Sequence, residues 1–157
     1  ELRRYDYRQP VPEPPRHVVM LLDVSSSMIQ TVPHTPYRRE EFAIASAIAL
    51  LEAALAGGHE VSLVRFDARP FEPITGSPAE IVRELLTGRF SAGGTCIDAA
   101  LQYADELEAD EIILVTDGED SVHYTPAAPL TVYFSGGNNE TLREQARQWW
   151  RPEEVIR

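Results

Sequence analysis

Short continuous apolar runs, spaced by helix-length stretches, organise this sequence. His17-Val18-Val19-Met20-Leu21-Leu22 is apolar without alternation and is bounded by polar or proline-rich segments. That is the pattern of a strand buried on both faces. Val61 to Phe66, Glu111 to Thr116 and Leu130 to Phe134 repeat it. Glu40 to Ala56 is rich in Ala, Leu and Ile and closes on Gly57-Gly58, which reads as a helix with a glycine stop. Its apolar positions Phe42, Ala45, Ile48, Ala49, Leu51 and Leu55 are too many for a narrow stripe, so the pattern predicts a largely buried helix. Ser77-Pro78-Ala79-Glu80 carries three helix-start signals, for a helix running to about Leu86: a serine N-cap, a proline in the first turn and a glutamate three residues after the cap. Further helices are predicted from about Cys96 to Glu108 and from Asn139 to Trp150.

Phe71 to Thr75 reads as a short edge strand, because Pro70 and Pro73 exclude a central position. Val155-Ile156 is a candidate last strand. Strands alternating with helices imply right-handed crossovers. The predicted fold class is therefore α/β: a doubly wound, mainly parallel central sheet with helices on both faces and one short antiparallel edge strand. Residues 17–157 would form this domain. Residues 1–16, with Pro10, Pro12, Pro14 and Pro15, read as a Pro- and Arg-rich linker or arm.

Composition narrows the class. A chain of 157 residues suits one domain, and 43% hydrophobic with 25% charged residues is the balance of a soluble globular protein. No apolar run approaches the ~20 residues of a membrane span. The start, Glu1-Leu2-Arg3-Arg4, has no initiator Met and no signal-peptide core, so the sequence reads as a fragment of a longer chain. Cys96 is the single cysteine, which rules out an intrachain disulfide and favours a reducing, cytoplasmic setting. The formal net charge of −11 disfavours nucleic acid as a partner.

The chemistry gathers in three oxygen-rich loops. Asp23-Val24-Ser25-Ser26-Ser27 follows the first strand, Gly93-Gly94-Thr95 precedes a helix, and Thr116-Asp117-Gly118 ends a later strand. In an open parallel sheet ligands bind beyond the carboxyl ends of the strands, where strand order reverses. Carboxylates and hydroxyls are hard donors that suit Mg²⁺, with Mn²⁺ or Ca²⁺ as alternatives, and suit Zn²⁺ poorly. Alternation would point Asp23, Ser25 and Ser27 the same way. Two carboxylates ~4 Å apart repel by about 4 kcal/mol at an effective dielectric of 20, and a cation removes that repulsion. Two carboxylates only neutralise a dication, which leaves it open to a third anion.

These residues resemble the metal-ion-dependent adhesion site of von Willebrand factor A domains, also found in integrin I domains. That site is D-x-S-x-S, a threonine from a second loop and an aspartate from a third. Asp23, Ser25, Ser27, Thr95 and Asp117 fill all five positions in order. The resemblance, covering roughly residues 17–157, implies a Rossmann-like fold and a metal-dependent protein-binding module that is not an enzyme. A partner Asp or Glu would complete the metal shell. The pattern as a whole is similar to intracellular prokaryotic members, many of which work beside MoxR-type AAA+ ATPases. Two positions depart from the common pattern: Ser26 stands where glycine is usual, and Cys96 where Asp or Asn is frequent. Residues Gln30 to Arg39 lengthen the first loop and would bring His34, Tyr37, Arg38 and Arg39 near the site.

Plainer readings stand beside these. The serines also suit a turn or a helix cap, Thr95 with Asp98 resembles a capping box, and Asp117-Gly118 alone is an ordinary turn. Glu119 and Asp120 read as a solvated acidic rim, and Arg38-Arg39 as a solvated helix start or a partner contact. Cys96 reads as a small residue at a helix start. His34, His59 and His123 lack ligand spacing, and Trp149-Trp150 suit packing of the last helix. A metal-dependent hydrolase or phosphotransferase and an RNA-binding domain are alternative functions. No G-x-x-x-x-G-K-[ST] loop or G-x-S-x-G elbow supports the first, and the acidic charge opposes the second.

Overall fold

The four apolar runs pair side by side. In a computed structural model of the chain, which describes residues 16–87 and 93–151, they form β1 (His17–Asp23), β2 (Glu60–Phe66), β3 (Glu111–Thr116) and β4 (Leu130–Phe134). A three-residue β5 (Gln148–Trp150) adds to them. The sheet order is β2-β1-β3-β4-β5, and every pairing is parallel. Val18, Met20 and Leu22 of β1 join one apolar core and Val19 and Leu21 the other, so the strand is buried on both faces as its unbroken apolar run implies.

The helices complete two layers. Helices α1 (Arg39–Ala56) and α2 (Pro78–Thr87) cover the face carrying Met20 and Leu63. Helices α3 (Ile97–Glu106) and α4 (Glu140–Gln145) cover the face carrying Leu21 and Phe134. The chain winds from β1 outward to β2, then crosses back past β1 to β3. Strand order therefore reverses between β1 and β3, and beyond the carboxyl ends of strands at such a reversal is where an open parallel sheet binds ligands.

Several local expectations are met. Glu80 N–H donates to Ser77 Oγ at 3.3 Å and Ser77 N–H to Glu80 Oε2 at 3.0 Å, a complete capping box on α2. Helix α1 ends at Gly57, with Gly57 N–H on the Ala53 carbonyl and Gly58 N–H on that of Leu55.

Others are corrected. Helix α1 is not buried all round: Ala43, Ala47, Leu51 and Ala54 form its sheet-facing stripe, while Ala45 and Ala49 are exposed. Segment 71–75 forms no strand of its own: it meets β2 through the antiparallel bridge Leu63–Ile74 and a bond from Phe71 N–H to the Arg65 carbonyl, next to a second bridge, Phe66–Pro70. The predicted helix from Asn139 to Trp150 is two elements, because the chain turns extended at Ala146 and Trp149 pairs with Val132. All but the last residue of the predicted arm at 1–16, and the candidate strand Val155-Ile156, lie outside the described residues.

Candidate metal centre

Asp23 ends β1 and has no exposed surface. Its Oδ1 accepts from Ser25 N–H at 2.9 Å and from Ser25 Oγ–H at 2.5 Å. A side chain accepting the N–H two residues on is the Asx turn that D-x-S favours. Its Oδ2 accepts from Thr116 Oγ1 at 2.7 Å, across the β1–β3 boundary. Ser25 Oγ lies 3.2 Å from Ser27 Oγ, which donates to Asp117 Oδ2 at 2.5 Å. Asp117, also without exposed surface, is the first residue past β3. Its Oδ1 accepts from Glu119 N–H at 3.0 Å. Each serine hydroxyl thus gives its one proton to an acid, Ser25 to Asp23 and Ser27 to Asp117, and with the two hydroxyl oxygens in contact the four side chains form one contiguous cluster at the carboxyl ends of β1 and β3.

Burial pushes the Asp23 carboxyl up from 3.8 to about 6. The bonds from Ser25 and Thr116 hold it down, and the negative charge of Asp117 pushes it up again.

Thr95 reaches the same edge by its backbone neighbours. Ser26 N–H donates to the Gly93 carbonyl at 3.1 Å, and Cys96 N–H to that of Asp67, just past β2, at 2.8 Å. Residues 88–92, which precede this loop, lie outside the described residues. The capping-box alternative for Thr95 does not form. Cys96 is the residue preceding α3, with no side-chain cap. Ile97 N–H is met by Asp120 Oδ2 at 2.9 Å, and Asp98 instead accepts from His123 N–H and Tyr124 N–H, each at 2.9 Å.

Two groups at the site carry roles that the sequence reading missed. Thr116, buried at the end of β3, bridges Asp23 to Gly118 N–H, which it accepts at 3.0 Å. Gly118 has φ +76, and a Cβ there would lie 2.9 Å from the Asn138 carbonyl oxygen, so the turn after Asp117 needs glycine. Arg39 is neither a solvated helix start nor an exposed partner contact. It is buried, and its Nη1 reaches Asp117 Oδ2 at 3.1 Å and Glu119 Oε1 at 2.9 Å. Glu119 and Asp120 are accordingly more than an acidic rim: one pairs with Arg39, the other caps α3. Arg38 pairs with Glu40 at 3.4 Å in the open, and His34 and Tyr37 are exposed.

The donors brought together here, two buried carboxylates and the hydroxyls of Ser25 and Ser27, with the Thr95 loop tied alongside through Gly93, are of the kind that suits a small hard dication, and Asp23 is held against its ionised form by burial and by Asp117. Among the described residues no three His, Cys, Asp or Glu side chains cluster as a metal cage. Of the five candidate ligands only Asp23 and Asp117 are acids, and the other three offer hydroxyls.

The model of the von Willebrand factor type A domain matches residues 18–119, more than half of the chain, and includes all five positions. Solved structures share the fold. An aerotolerance-related membrane protein from Bacteroides fragilis superposes with TM-score 0.64 at 21% identity, over 76% of this chain and 67% of that one. Three N-terminal domains of the type V pili tip protein Mfa5 from Porphyromonas gingivalis give 0.55 at 27% identity, over 66% of this chain and 20% of that one. Proximal thread matrix protein 1 from the mussel byssus gives 0.62 at 18% identity, over 86% and 41%. The chain thus spans a minor part of the pilus and byssus structures. No curated protein matches it.

Proposed function

The chain belongs to the von Willebrand factor type A domain family, and from that premise we propose that it is a divalent-metal-dependent protein-binding module. Asp23, Ser25, Ser27, Thr95 and Asp117 would hold the ion, Mg²⁺ by preference and Mn²⁺ or Ca²⁺ as alternatives. The observation that carries this reading is the contiguous cluster of Asp23, Ser25, Ser27 and Asp117, each serine hydroxyl bonded to one acid and the two hydroxyl oxygens in contact, at the strand-order reversal. When bound, the cation supplies an electrophilic position that a third carboxylate can complete. Ser25 and Ser27 set the spacing of the two acids, and Thr116 fixes the rotamer of Asp23. The partner would be a protein presenting Asp or Glu. A MoxR-type AAA+ ATPase is the partner class proposed from the resemblance to prokaryotic intracellular members, and a cytoplasmic setting goes with it. Among the described residues no helix is long and apolar enough to cross a membrane.

Calorimetric titration of Mg²⁺ and Mn²⁺ into the purified chain tests the ion. Saturable binding is expected, lost in Asp117→Ala. Binding that persists unchanged in that variant would overturn the assignment. Protein capture from a lysate in Mg²⁺, abolished by EDTA, is the expected counterpart for the partner.

A further inference from the structure

Arg39 opens α1 and is 8% exposed. A cation at the positive end of a helix dipole is unfavourable, and burying it adds to that cost unless acids meet it. Here a single nitrogen does the meeting. Nη1 reaches Glu119 Oε1 at 2.9 Å, Asp117 Oδ2 at 3.1 Å and the Ser27 carbonyl at 3.5 Å. It has two hydrogens for three acceptors. Nε, also buried, has no partner among the described residues. A guanidinium at its strongest grips a carboxylate through two parallel bonds, and Arg39 grips neither acid that way.

The fold nevertheless reserves space for this side chain. A Cβ at Gly136 would lie 2.9 Å from Arg39 Cγ and 3.3 Å from its Nε. On the other side, Asp117 Oδ2 is claimed by both the Ser27 hydroxyl and Arg39. Asp117 is also one of the two acids needed to neutralise a divalent ion. Glu119, with its side chain 45% exposed, is a second carboxylate already within reach of the guanidinium.

We propose that Arg39 is a tethered internal cation that competes with the divalent ion for Asp117, with Glu119 as the carboxylate that retains the guanidinium when Asp117 serves the ion. This rests on the reading that the site holds a metal. It adds a determinant of affinity: the resting site carries its own positive charge, and the metal enters against it. Removing that charge strengthens metal binding, whereas a purely structural arginine would weaken it or leave it alone when lost.

Calorimetric titration of Mn²⁺ into the full chain separates the cases, with melting curves run on each variant. Arg39→Gln is expected to bind roughly tenfold more tightly than the parent, as the loss of a nearby like charge requires. Arg39→Lys, which keeps the charge, is expected to stay near the parent. Glu119→Gln is expected to bind more weakly, because the guanidinium then has only Asp117. That substitution lies at a half-exposed side chain, so it reports even if Arg39→Gln fails to fold. Unchanged or weaker binding by a folded Arg39→Gln, or unchanged or tighter binding by Glu119→Gln, would overturn the role of Arg39. The metal reading itself would stand if Asp23→Ala abolished binding in the same series. If Asp23→Ala bound like the parent, or if no variant bound at all, the metal reading would fail and this role with it.

Discussion

A carboxylate buried away from water is costly to keep ionised. Asp23 shows the cost, its carboxyl pushed up to about 6, chiefly by burial. The folded chain therefore holds a proton that the unfolded chain releases between about pH 4 and 6. Stability from this group is highest below the unfolded value and declines as pH rises through the folded one. The whole shift is worth ~3 kcal/mol. In EDTA, urea unfolding should show Asp23→Asn gaining on the parent as pH rises from about 4 to 6, with a constant difference above about 7. A difference that stays flat across that range would contradict the assignment. At this scale the spacing of Asp23, Ser25 and Ser27 was legible, because an alternating motif displays its donors locally. Arg39 and Thr116 were not, since their roles exist only where distant parts of the chain meet, Arg39 against Asp117 and Glu119, and Thr116 against Asp23 at the end of β1. One signal was available: an arginine in the first helical turn, beside Glu40 and Glu41, opposes the helix dipole and calls for a buried acid.

Elements whose patterns are local were readable nearly to the residue. The strand predicted over Glu111 to Thr116 is β3 without change, and that over Leu130 to Phe134 is β4. The start of α2 followed from Ser77, Pro78 and Glu80, and its capping box invites a direct test. Ser77→Ala is expected to cost about 1 kcal/mol, or a Tm lower by ~3 °C, with metal affinity unchanged because the cap does not touch the site. A loss of metal binding there would mean that the site is coupled to a helix that shares no bond with it. Elements defined by tertiary pairing were not readable. Beta5 exists because Trp149 pairs beside Val132 and sets its ring edge-on to Phe134, 6.0 Å between centroids, with Arg143 and Arg151 over the indole. Nothing in Gln148-Trp149-Trp150 alone distinguishes that from the end of a helix. The buried stripe of α1 was obscured for another reason. Alanines lie on both its sheet-facing and exposed sides, so sequence contrast between the two is low.

Across the whole molecule, the alternation of apolar runs and helices determined the architecture, and the architecture determined where the site lies. A chain that winds outward from β1 to β2 and returns to β3 reverses strand order between β1 and β3, where an open parallel sheet binds ligands. Asp23 and Asp117 stand at the carboxyl ends of those two strands, and the loop carrying Thr95 is tied alongside through Ser26. The −11 net charge sharpens the electrostatic problem there, because a third carboxylate from a partner approaches an already acidic protein. A bound dication would offset that repulsion locally, which is the reason to expect metal-dependent binding. The most direct test is a crystal grown or soaked in Mn²⁺, with anomalous differences measured at the manganese edge. A single peak within coordination distance of oxygens from Asp23, Ser25, Ser27, Thr95 and Asp117, directly or through water, is the expected result. Full occupancy of Mn²⁺ elsewhere, with no peak between β1 and β3, would contradict it.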